Sequence, residues 1–93
     1  MNKDRKNRTN NVLEKLRDYG DKILELKDEL ECIKDEEDDA MMNVPENLQG
    51  SERYEAMENA VDALDSAIDS LEEICDNITD VADELDNMLE ECL

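Results

Sequence analysis

The sequence predicts an all-α fold: an antiparallel helical hairpin of two long heptad-patterned helices, paired with a second copy into a four-helix bundle. Three observations lead there. The 93 residues carry 29 acids, 10 bases and two aromatic rings, Tyr19 and Tyr54, so the apolar interior must come from Leu, Ile, Val, Met and Ala. That acid-rich, periodic composition is typical of long helices and coiled coils. Apolar residues recur at alternating steps of three and four over most of the chain, which is the heptad signature. The single Pro, one of the two Gly and a cluster of Asn and Ser fall together between residues 42 and 51, where helices are punctuated.

Residues 1–10, MNKDRKNRTN, are polar, basic and without apolar periodicity, and are expected to form a flexible arm. Asn11 with Glu14 three residues on reads as a capping box opening a helix over 11–41. Its apolar seam runs Val12, Leu16, Tyr19, Ile23, Leu26, Leu30, Ile33. Gly20 lies within it and costs about 1 kcal/mol relative to Ala. The register continues past it, so a continuous or gently bent helix is expected.

Residues 42–51 form the turn. Val44 precedes Pro45 and is driven out of helical dihedrals. Asn43 with Glu46 is suited to cap one turn over PENL, Gly50 ends it, and Ser51 is a good N-cap for the next helix. Glu52 and Glu55 then stand in the first turn, where the helix dipole favours acids.

The second helix is expected over 52–92. Its seam is Met57, Val61, Leu64, Ile68, Leu71, Cys75, Ile78, Ala82, Leu85, Leu89 and Cys92, with no slip. A further apolar column lies beside it: Ala60, Ala67, Ile74, Val81 and Met88. One facing helix cannot cover both, so this column is expected to form an oligomer interface, most economically with a second copy under twofold symmetry. A partner protein's surface is the other source.

The remaining face of this helix is acidic. One column reads Glu55, Asp62, Asp69, Asp76, Asp83, Glu90; its neighbour reads Glu58, Asp65, Glu72, Thr79, Asp86. Carboxylates thus follow one another every 5–6 Å or so along the axis, and Arg53 is the helix's one base. Like charges at this spacing destabilise a helix by a few tenths of a kcal/mol per pair. The charge is also polarised along the chain: residues 1–27 are net +3 and residues 28–93 net −22. Such a surface repels nucleic acid and anionic lipid and attracts basic proteins or cations. Duplex DNA carries one charge per about 1.7 Å of axis, so a carboxylate rod can occupy a groove built for phosphates. The stripe is therefore read as a partner-binding surface and DNA mimic, against the plainer alternative of a coiled-coil assembly protein whose acids serve solubility.

Other chemistry finds little footing. There is no His, no Gly-rich loop and no nucleophile beside a base, so no catalytic residue, metal ligand or cofactor site is expected. Cys32, Cys75 and Cys92 form no C-x-x-C pair. Cys75 and Cys92 fall on the seam as small apolar groups, whereas Cys32 lies off it and is expected to be exposed. An odd cysteine count without a signal peptide points to reduced thiols and a cytoplasmic location. The acid run KDEEDDA, residues 34–40, lacks calcium-loop spacing and reads as a helix end that its own dipole disfavours.

The stretch NVPENLQGSERYEAMENAVDALDSAIDSLEE, residues 43–73, resembles one found in small acidic helical proteins of Firmicutes, their phages and mobile elements, through its PENLQGSERYE turn and cap. That resemblance covers about a third of the chain and implies a bacterial-host setting without an activity. In class alone the protein is similar to phage-encoded anti-defence inhibitors that imitate nucleic acid. The resemblance implies a basic host partner, a nuclease or other nucleic-acid-binding protein, reached by protein–protein interaction.

Overall fold

The computed structural model describes residues 1–92. Two α-helices, α1 (Lys3–Met42) and α2 (Glu52–Glu91), flank a short 3-10 turn, Glu46–Leu48. Each helix has 40 residues, about 60 Å at 1.5 Å per residue. They pack antiparallel as a hairpin with extents of 70 × 15 × 14 Å.

Residues 3–10 are helical, which corrects the expected flexible arm. The reason is local. The Asn2 side-chain oxygen accepts from the Arg5 N–H at 2.8 Å, and Asp4 sits in the first turn, so the first turn is capped. Arg8 pairs with Asp4 at 3.5 Å. Asn11 and Glu14 lie inside the helix and cap nothing. Asn43 is the C-cap of α1, its N–H donating to the Asp39 carbonyl at 3.2 Å while the Val44 N–H donates to the Met41 carbonyl at 3.1 Å; it does not cap the 3-10 turn, whose N-cap is Pro45. Ser51 caps α2 as expected, its hydroxyl accepting from the Tyr54 N–H at 3.2 Å.

Every seam residue of α2 is buried or half-buried, from Met57 to Cys92. The α1 seam needs correcting. Leu16, Ile23 and Leu30 face inward, but their companions are Leu13, Gly20, Lys27 and Lys34, not Val12, Tyr19, Leu26 and Ile33. α1 is thus rotated by one heptad position, about 50°, from the orientation its apolar letters imply. Gly20 explains part of this. A Cβ there would stand 3.4 Å from Ile78 Cγ2, and the Cys75 thiol approaches the Gly20 carbonyl at 3.9 Å, so the helices come close where α1 has no side chain. Lys27 and Lys34 complete the seam with their aliphatic stems while the ammonium groups reach acids: Lys27 to Glu31 at 3.6 Å and Lys34 to Asp65 at 2.9 Å.

The rotation leaves Val12, Tyr19, Leu26, Ile33, Ile74 and Val81 at 42–55% exposed. Heptad geometry places the α1 and α2 members of this set on the same long face, opposite the Arg17–Asp86 and Lys34–Asp65 pairs. Ala40 of the one column and Arg53 of the other line a common groove, as that placement requires. The Gly20–Ile78 and Lys34–Asp65 contacts set the register. The face is therefore layered: Val12 with Met88, Tyr19 with Val81, Leu26 with Ile74, Ile33 with Ala67, Ala40 with Ala60. Among the described residues only Leu13, Ile68 and Ala82 are buried apolar side chains.

Candidate functional site: an acidic face

The side of the hairpin opposite the apolar layers is acidic. The Glu58, Asp65, Glu72, Asp86 column borders α1, and the Glu55, Asp62, Asp69, Asp76, Asp83, Glu90 column lies outside it. All ten stay at the surface, and Asp86 alone is half-buried. The structure brings them together as one stripe, since α2 is continuous from Glu52 to Glu91.

Helix α1 supplies counter-charge that its sequence position did not reveal. Arg17 Nη2 lies 3.7 Å from both Asp83 and Asp86. Lys34 Nζ donates to Asp65 Oδ1 at 2.9 Å. That hydrogen bond, helped by the Asp65 charge, raises the Lys34 pKa above its ordinary 10.5. All three contacts are substantially exposed, so solvent screens their attraction. They also divide the stripe. Asp65, Asp83 and Asp86 are paired, whereas Glu55, Glu58, Asp62, Asp69, Glu72, Asp76 and Glu90 have no ion pair among the described residues.

Two acids of α1 extend the face. Glu31 and Asp35 line one shallow groove with Lys34, Asp65, Asp69 and Glu72. In the sequence Asp35 belongs to the helix-end run KDEEDDA, apart from the α2 columns. The hairpin register that sets Lys34 beside Asp65 carries its neighbours Glu31 and Asp35 there. Among the described residues no group of three potential ligands could hold a metal ion. No described helix is long and apolar enough to cross a membrane. Cys32 is exposed and Cys75 and Cys92 are half-buried, all as free thiols.

Fold and surface together define a helical hairpin with one apolar and one acidic long face. Comparison with family models, curated proteins and solved structures finds no match to this chain.

Proposed function

We propose that this protein is a non-enzymatic interaction module whose acidic face occupies a basic protein surface, of the kind that otherwise holds nucleic acid. The observation that carries the reading is the unpaired central part of the stripe. From Asp62 to Asp76 one base, Lys34, serves a stretch of α2 containing Asp62, Asp65, Asp69, Glu72, Glu73 and Asp76. A face kept that negative against its own repulsion steers toward cations and speeds encounter with a complementary surface. In the bacterial setting that the PENLQGSERYE turn resembles, such a partner would be a host nuclease or other nucleic-acid-binding defence protein, met in the cytoplasm. Inhibition would follow from competition for the phosphate-binding surface.

The test is co-precipitation from a bacterial lysate at graded salt, with the Asp62→Lys, Asp69→Lys, Asp76→Lys triple variant as control. Enrichment of nucleic-acid-binding proteins that falls with salt and vanishes in the helical triple variant supports the proposal. Capture that is indifferent to salt, or that survives the charge reversal, overturns it.

A further inference from the structure

The apolar face carries its own inference, which stands apart from the acidic reading. We propose that its occupant is a second copy of this chain, stacked face to face with the two turns at opposite ends.

Three features select that occupant and that arrangement. The first is a size gradient along the five layers. Val12 with Met88 is bulky at the end near the termini, Ala40 with Ala60 is small at the turn end, and Leu26 with Ile74 lies midway. A twofold axis through the middle layer sets each bulky layer on a small one and repeats Leu26 on Leu26. This is the self-complementarity that an isologous interface requires. Stacking with both turns at one end would instead double the bulk at one end and splay the helices.

The second feature is charge. The α1 column flanking the apolar face reads Lys15, Lys22, Glu29, Glu36. Antiparallel stacking brings Lys22 of one copy level with Glu29 of the other, and Lys15 level with Glu36. Lys22 otherwise pairs with Asp18 of its own helix at 3.3 Å, and Lys15, Glu29 and Glu36 have no ion pair among the described residues. Stacking with the turns together would lay Glu29 and Glu36 over Ser70 and Ala63, with no base to meet them.

The third feature is area. The five layers span 28 residues, about 42 Å, across a hairpin about 15 Å wide. Two copies would bury about 1,300 Å² or more, within the range of specific interfaces. A hairpin with this few buried side chains needs such a surface, because small domains bury too little by themselves.

The experiment uses oxidative cross-linking in a chain whose Cys32, Cys75 and Cys92 are replaced by Ala. Leu26→Cys, on the proposed axis, should give a disulfide-linked dimer in high yield. Asp76→Cys, on the acidic face, should not. Equal yields from the two, or dimers formed only when Leu26→Cys and Ile74→Cys chains are mixed, overturn the proposal. Light scattering on the unmodified chain covers the case in which the cysteine-free chain unfolds. Twice the 10.7 kDa chain mass is expected, and a single chain mass across the accessible concentration range overturns the inference.

Discussion

Gly20 offers the sharpest test of how α1 meets α2. In the orientation implied by its apolar letters, position 20 would flank the seam; in the structure it lies in the seam against Ile78. Two substitutions separate these. For Gly20→Ala the new methyl would stand 3.4 Å from Ile78 Cγ2, an ordinary van der Waals contact, and nothing else lies within 4 Å. The gain is then the mid-helix propensity difference, about 1 kcal/mol, with a further fraction from the covered methyl. For a domain of this size that raises Tm by about 4–8 °C. Gly20→Leu has nearly the same propensity as Ala, and its three further carbons can lie in the groove that position 20 lines with Leu24, Ile78 and Ala82. Covering part of that side chain contributes about 1 kcal/mol more, so the Leu variant should melt at least about 4 °C above the Ala variant. Thermal denaturation followed by circular dichroism, at one fixed protein concentration, reads both. A Leu variant as stable as the Ala variant would show that position 20 faces solvent, and the seam described above would be wrong.

Other expectations follow from individual contacts. Ser51→Ala removes the hydroxyl that accepts from Tyr54 N–H and should cost about 1 kcal/mol of stability, measurable as a lowered urea midpoint. Asn2→Ala should raise amide exchange over residues 3–8 while leaving the global unfolding free energy within about 0.5 kcal/mol, because that turn adds little to the core. Because the Lys34 pKa is raised in the folded state, its pair with Asp65 stabilises in full below pH 10.5 and is lost as pH climbs through the elevated value. Wild type and Lys34→Gln should therefore differ in Tm at neutral pH and converge in alkali. Sodium chloride should raise the wild-type Tm, since screening relieves the repulsion of a chain at net −19; a fall in Tm would mean that the few ion pairs outweigh it.

Much of the architecture was legible from letter spacing. The α2 seam is legible throughout because its inward positions are all apolar, so hydropathy and geometry agree. In α1 they disagree. Two apolar columns, Val12/Tyr19/Leu26/Ile33 and Leu16/Ile23/Leu30, make an unbroken three-and-four pattern, and pattern alone assigns both to the hairpin. The true second column runs through Gly20, Lys27 and Lys34, which score as breaks. A missing side chain and two long aliphatic stems serve there as core. The helical start at Lys3 was hidden for a related reason. No apolar periodicity marks residues 3–10, and the turn is held by an Asn cap and an i,i+4 ion pair. For the acidic face, the α2 stripe was legible from its columns. Its counter-ions Arg17 and Lys34 and its extension to Glu31 and Asp35 depend on hairpin register, which only the packed structure supplies.

The displaced α1 seam is also what turns one spare column into a whole face. With α1 rotated, its apolar column joins that of α2, and the molecule acquires a long apolar side opposite its acidic one. Small-angle X-ray scattering on the unmodified chain tests that account most directly, because it reports mass and length together. Face-to-face pairing predicts twice the 10.7 kDa chain mass in a particle little longer than the 70 Å of one hairpin. A particle of one chain mass, or one of two chain masses but nearly twice that length, would contradict it.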